Sequence, residues 1–188
     1  MHVMKSSYLT STLFALCSAA TFALAGQATI NGSTDSTNPS QFSNVSDWRS
    51  TPTFDNTLGV QLGGVAGGTG YYNVDGNFTV KQLVSESGID ANFYVTTDAD
   101  KTLTIDINTV NGVSYDAILF EDGSHGTFTL GAGNYDIISS AGNQAWARLS
   151  IKNVNGEAGG KNFDIASGAT INAYTVLSLS GTVGQYSN

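Results

Sequence analysis

Apolar and polar residues alternate along much of the chain from residue 78 to residue 179, a pattern typical of β-strands with one buried and one solvated face. The clearest run spans 102–108, where Leu103, Ile105 and Ile107 are separated by polar residues. The other positions with this spacing are Phe78 and Val80, Phe93 and Val95, Tyr115 with Ala117 and Leu119, Phe128 and Leu130, Tyr135 and Ile137, Ala147 with Leu149 and Ile151, and Ile171 with Ala173, Thr175, Leu177 and Leu179. The alternation predicts about ten short strands and no helix.

Glycine-bearing turn sequences separate these runs, and dipeptides of this kind are typical of hairpin turns. They are Asp75-Gly76, Asn111-Gly112, Asp122-Gly123, Gly131-Ala132-Gly133, Ala141-Gly142-Asn143 and Asn155-Gly156. Short alternating strands joined by tight turns favour an all-β fold. We therefore predict an antiparallel two-sheet sandwich of the jelly-roll-like type.

The first 25 residues have the composition of a secretory signal peptide. Lys5 precedes an apolar run over 13–24, and Ala23-Leu24-Ala25 forms a small-x-small cleavage site before Gly26. The run is shorter than the roughly 20 apolar residues that span a bilayer. We therefore expect no transmembrane segment and a secreted or cell-surface protein that begins at Gly26.

Two further segments follow the signal peptide. Residues 26–57 are rich in Ser, Thr, Asn and Gln and are expected to form an irregular or extended leader. Residues 58–188 are expected to form a single β-sandwich domain, which opens with a glycine-rich stretch over 59–70.

The charge balance limits the kinds of partner. The chain carries 7 basic and 15 acidic residues, and removal of Lys5 with the signal peptide lowers the net charge from −8 to −9. An acidic surface repels phosphate backbones and anionic lipids, which argues against nucleic-acid and membrane-surface partners. The single cysteine, Cys17, lies in the signal peptide, so the mature chain has no disulfide.

Residues suited to catalysis are scarce in the mature sequence. His125 is its one histidine, and it lies in a predicted turn over 121–126. No Gly-x-Ser-x-Gly elbow supports a serine nucleophile. We therefore expect a protein that is not an enzyme and keep a small secreted hydrolase as a weaker alternative.

Acidic residues gather in the middle third of the chain, where clustered carboxylates are able to bind Ca²⁺. The candidate ligands are Asp98, Asp100, Asp116, Glu121 and Asp122. The alternative is that these residues are solvated turn and outer-face positions.

A tryptophan lies on the predicted solvent face of one strand. Alternation over 145–153 places Ala147, Leu149 and Ile151 on one face and Trp146 and Arg148 on the other. An exposed indole beside a guanidinium is suited to stacking on a sugar ring or a partner surface. A loop that covers Trp146 is the alternative.

The stretch from about Asn92 to Val154 resembles the bacterial pre-peptidase C-terminal domain. The matching segments are Phe93-Tyr94-Val95, Leu103-Thr104-Ile105, the run from Asp116 to Asp122, Thr127-Phe128-Thr129-Leu130, Ala132-Gly133-Asn134-Tyr135 and Leu149-Ser150-Ile151. The resemblance implies a jelly-roll-like sandwich with an accessory, adhesive role, sometimes with calcium. This sequence has one aspartate, Asp116, where the family has a pair, and no peptidase domain precedes the match.

Two hypotheses for function follow. The first is a secreted, non-catalytic surface or extracellular-matrix protein that is adhesive or binds carbohydrate. The second is a subunit of an extracellular filament or pilus, in which the leader from Gly26 to Asn31 or the uncharged tail from Thr170 to Val183 pairs with a neighbour's sheet edge.

Overall fold

The computed structural model describes residues 26–121, 125–151 and 161–181, and within them the chain forms fifteen strands and one short 3-10 helix, Val45–Asp47. In chain order the strands are β1 (Gln27–Asn31), β2 (Ser40–Gln41), β3 (Gly59–Gly63), β4 (Thr69–Val74), β5 (Phe78–Val80), β6 (Gln82–Ser85), β7 (Asn92–Thr97), β8 (Thr102–Asp106), β9 (Ser114–Phe120), β10 (Gly126–Leu130), β11 (Gly133–Ile138), β12 (Trp146–Ile151), β13 (Lys161–Ile165), β14 (Ala169–Ala173) and β15 (Val176–Gly181). No helix in these ranges is long and apolar enough to cross a membrane. The predicted signal peptide, residues 1–25, lies outside the described residues.

The strands form three parallel sheets that the chain visits in turn. Sheet A has the order β1-β3-β6-β9-β12-β15, sheet B has β13-β10-β7-β4-β2, and sheet C has β14-β11-β8-β5. Each paired strand of these sheets runs parallel to its neighbour. The fold is therefore a β-solenoid, in which one strand from each sheet makes up a rung.

The predicted antiparallel two-sheet sandwich is wrong. A strand with one buried face shows the same period of two in a sandwich and in a solenoid, since the alternation reports the pleat and not the direction of the neighbour. Parallel sheets in most domains are covered on both faces, which made an alternating pattern favour antiparallel pairing. In this solenoid the inner face of each sheet is buried while the outer face meets solvent.

The core consists of ladders of equivalent side chains from successive rungs. In sheet B, Phe93, Phe128 and Phe163 are in register. In sheet C, the ladder runs through Val80, Ile105 and Ile137, all of them fully buried. Stacked apolar ladders bury a continuous core along the axis, although each rung alone buries little.

The predicted hairpin turns that lie within the described residues are corners between sheets, because consecutive strands belong to different sheets. Asp122-Gly123 and Asn155-Gly156 lie outside the described residues. Gly133, at the corner between sheets B and C, has φ +138°, and a Cβ there would lie 2.1 Å from Thr97 Oγ1. Gly126, at the corner between sheets A and B, has φ +121° and lies against the carbonyl of Ala91. Glycine therefore permits the close approach of backbones at these corners.

Residues 26–57 provide the first rung and close one end of the solenoid. Phe42, Trp48 and Phe54 pack against one another and against the core, with the Trp48 and Phe54 ring centroids 5.4 Å apart. The Arg49 amide donates to Thr29 O over 2.8 Å, along the outer edge of β1. The Arg49 guanidinium binds both carboxylate oxygens of Glu86, which follows β6 on the third rung.

The long alternating run from Ile171 to Leu179 is two strands in different sheets. β14 and β15 are separated by a corner at 174–175, and each is the last strand of its sheet. A second departure from the predicted pattern occurs in β9, where the pairing with β12 shifts between Arg148 and Leu149. The shift puts Ile118, instead of Ala117, in register with the core residue Leu149.

Candidate functional site

Trp146 lies on the outer surface of sheet A and is 51% exposed, as the alternation predicted. It is the first residue of β12 and is in register with Ser114 on one neighbouring strand and Val176 on the other. Its amide donates to Val113 O over 2.9 Å. The backbone that carries the indole is thus paired on both sides, which fixes the face of the sheet from which the side chain projects.

Arg148, two residues along the same face, is engaged with Asp116. Its Nε lies 2.8 Å from Asp116 Oδ1, but the N–H is not aligned on that oxygen, so the contact is an ion pair and not a hydrogen bond. The Ser150 hydroxyl donates to the same carboxylate oxygen. About a third of the Arg148 side chain is exposed. The guanidinium therefore offers a ligand only its outer edge.

Four further exposed apolar side chains lie on or next to the segments that lead from sheet C to sheet A, beside the strand end that carries Trp146. The loops at this edge are stacked, since the Gly112 amide donates to Gln144 O and the Val176 amide to Ala145 O. We call this surface the Trp146 corner and define it by the exposed side chains Val110, Val113, Trp146, Tyr174 and Val176. Exposed apolar side chains gathered on one part of a surface are typical of interaction sites.

The four predicted calcium ligands that lie within the described residues do not form one group. Asp98 and Asp100 lie between sheets B and C, where Asp98 accepts from Asn73 and Asp100 pairs with Lys101. Asp116 lies on sheet A beside Arg148, and Glu121 follows β9. Asp122 lies outside the described residues. In the described ranges no three acidic, histidine or cysteine side chains are close enough to hold a metal ion.

His125 directly precedes β10 and pairs with another side chain from the rung below. Its Nδ1 contacts Asp90 Oδ1, and both side chains are substantially exposed. The His125 carbonyl accepts from the Ala91 amide over 2.9 Å. Both contacts join adjacent rungs, which makes the residue part of the corner between sheets A and B.

A pair of tyrosines on sheet B was not singled out from the sequence. Tyr71 and Tyr94 are in register on β4 and β7, with ring centroids 5.9 Å apart and planes inclined by 54°. Gly131 lies against the Tyr94 ring, with room for no side chain between them. Alternation within Thr69–Val74 would have placed Tyr71 outward, but the glycines just before this segment obscured the strand. The pair is a second outward aromatic surface.

Comparison of the chain with protein-family models, with curated proteins and with solved structures finds no match.

Proposed function

We propose that this is an exported, non-catalytic protein of the cell surface or extracellular matrix that binds a neutral polysaccharide at the Trp146 corner. The half-exposed indole of Trp146 on a rigid strand is the observation that carries the proposal. Sugar rings present apolar C–H faces, and an aromatic ring is a suitable surface on which they stack.

The surroundings of the indole favour a carbohydrate over a purely apolar ligand. Ser114 and Ser178 lie on the strands either side of β12, and the outer edge of Arg148 is on the same face. Hydroxyl groups and a guanidinium supply donors and acceptors to sugar hydroxyls at the rim of the stacked ring. Tyr174, 63% exposed, adds a second aromatic side chain at the same corner.

The choice of a neutral polymer follows from charge. The chain carries a net charge of −8, which repels acidic polysaccharides over the range of a Debye length. Arg148 does not offset this repulsion, because its charge is compensated by Asp116.

The two tryptophans make a direct test possible. Trp48 is buried and Trp146 is exposed, so Trp48→Phe leaves Trp146 as the only indole reporter. We expect neutral soluble glucans or chitin oligosaccharides to change its emission with saturation, and insoluble cellulose or chitin to retain the protein. Trp146→Ala should weaken retention at least tenfold with an unchanged unfolding midpoint.

Tyr71→Ala is the matched control, since it removes an outward aromatic ring from a different sheet. Loss of binding in Trp146→Ala alone supports the proposed site. Loss in Tyr71→Ala alone moves the site to sheet B and overturns the assignment to Trp146. Failure of the protein to bind any neutral polysaccharide, or turnover of an ester, peptide or glycoside, overturns the proposed function.

A further inference from the structure

Within the described residues, no further rung covers the core positions of the last rung of the solenoid. Leu149 is 3% exposed because Ile118 and Leu179 flank it in register, whereas Leu179 itself is 81% exposed. Ile165 and Leu177 are exposed in the same way, although Leu130 and Ala147 one rung earlier are fully buried. We call this surface the open end; its core-register side chains are Phe163, Ile165, Ile171, Leu177 and Leu179.

The open end also presents three strand edges at once. β13, β14 and β15 are the terminal strands of sheets B, C and A, and no described strand pairs with their outer edges. Such edges are usually blunted by charge or proline. Among these strands the charged side chains are one lysine, Lys161, and one aspartate, Asp164, and there is no proline.

Charge makes this end the favoured place for two copies to meet. The whole chain carries −8, so most of its surface repels another copy. Over 161–181 the charges of Lys161 and Asp164 cancel. The surface that covers each inner rung is another rung of this chain, which shows that rungs of this composition pack well on one another.

The strand edges at the opposite, N-terminal end are largely occupied, which determines how two copies are able to associate. On β1 the outer edge is occupied by Ile30 pairing with Trp48 and by Arg49 donating to Thr29. On β2 the Gln41 amide donates to Asp47 Oδ2 over 2.8 Å. Among the described residues, a second copy therefore finds the outer edges of β1 and β2 occupied. β5, the terminal strand of sheet C at this end, has no strand on its outer edge, but Phe54 packs on its Phe78 with ring centroids 4.3 Å apart. Head-to-tail stacking into filaments is therefore disfavoured.

We infer that the open end binds the open end of a second copy, which gives a closed pair. In such a pair each copy covers the exposed leucines of the other, and the strand edges meet antiparallel about a two-fold axis. The same patch serves both partners, so assembly stops at two chains. This inference is independent of polysaccharide binding.

Sedimentation equilibrium of the purified protein over a wide concentration range tests the inference. We expect a monomer–dimer equilibrium, with Leu179→Lys raising the dissociation constant at least 100-fold. Leu179 is so exposed that lysine leaves the monomer folded, which circular dichroism checks. Val45→Lys, at an exposed apolar position near the N-terminal end, is the matched control and should leave the dimer unchanged.

Four results would overturn the inference. These are a full chain that is monomeric at every concentration, species that grow beyond a dimer, a dimer insensitive to Leu179→Lys, and a dimer equally weakened by Val45→Lys. A full chain that is monomeric while a chain ending at Gly181 dimerises would identify residues 182–188 as the occupant of the open end instead.

Discussion

The rings of Phe128 and Phe163 stack with their centroids 5.4 Å apart and their planes only 4° from parallel. Such alignment follows from their position, because the two residues are partners in the parallel register of β10 and β13. Phe93, the next partner in the ladder, lies 6.1 Å from Phe128 at 24°. Phe128 is thus enclosed between two rungs, whereas among the described residues Phe163 has a ring on one side only.

Removal of the central ring should be strongly destabilising. Phe128 is fully buried, so Phe128→Ala leaves a cavity in the ladder and is expected to cost about 3–5 kcal/mol of unfolding free energy. Thr127→Ala, one residue away on the outer face, should cost about 0.5 kcal/mol or less. Urea unfolding measures both. Equal losses would mean that the inner and outer faces of β10 are assigned incorrectly.

Gly133 provides a test of the corner between sheets B and C. Its φ of +138° is open only to glycine, and a Cβ would clash with the Thr97 side chain and amide. Gly133→Ala should therefore lower the thermal midpoint, by about 2–4 °C for each kcal/mol lost in a chain of this size. At Gly59 the nearest atom to a new Cβ is 3.9 Å away, and Gly59→Ala should be nearly neutral. A neutral Gly133→Ala would rule out this corner geometry.

A fall in pH should lower the free energy of unfolding through Asp106, which connects residues 26–57 to the core. Burial raises the pKa of Asp106, but hydrogen bonds from Ser140, Asn56 and Asn108 outweigh it and hold the pKa below the usual 3.8. A carboxyl with a lowered folded-state pKa favours folding when it is charged. Its contribution is therefore complete above the unfolded-state pKa and is lost as the pH falls through the folded-state pKa.

The measurement is the free energy of unfolding in urea at pH 7 and at pH 3. We expect Asp106→Asn to cost about 1–3 kcal/mol at pH 7, because an amide group replaces an acceptor that receives several donors. At pH 3 the difference from the native protein should shrink. Arg49 lowers the pKa of Glu86, so Glu86 also loses stabilising free energy as the pH falls, and it does so in both proteins. Asp164→Asn, on an exposed strand edge, is the control; a constant difference for Asp106→Asn across this range contradicts the role given to Asp106.

The sequence predicted the strands better than their arrangement. Leu103, Ile105 and Ile107 were predicted to share a buried face, and all three are fully buried. The prediction was correct because the pleat alone determines which residues of a strand share a face. The alternation contained no information on whether β8 pairs with a parallel or an antiparallel neighbour. That information lay in a longer spacing: the same interval separates Phe93 from Phe128 and Phe128 from Phe163, as expected of a repeat.

Local sequence predicted the surroundings of some site residues and not those of others. Exposure of Trp146 followed from alternation within one strand. The ion pair of Arg148 with Asp116 depends on how β9 and β12 align, and a register shift in that pair was not visible locally. The open end could not be predicted from local sequence either. Leu177 and Leu179 alternate with polar residues as core positions do, and they are exposed because no described rung covers them.

The stacking order of the rungs is the central claim, and spin-label distances along sheet C test it most directly. Thr79, Thr104, Asp136 and Asn172 are successive outward positions of one ladder. Strand spacing of about 4.8 Å predicts that labels paired with position 79 lie at backbone separations of roughly 5, 10 and 14 Å when the second label is at 104, 136 and 172. Spin labels are attached to cysteine pairs at these positions in Cys17→Ser protein, and the samples are diluted. The dipolar line broadening should decrease from the pair 79 with 104, to 79 with 136, to 79 with 172. Broadening that is absent for 79 with 104, or that does not decrease stepwise through 136 and 172, would contradict the solenoid.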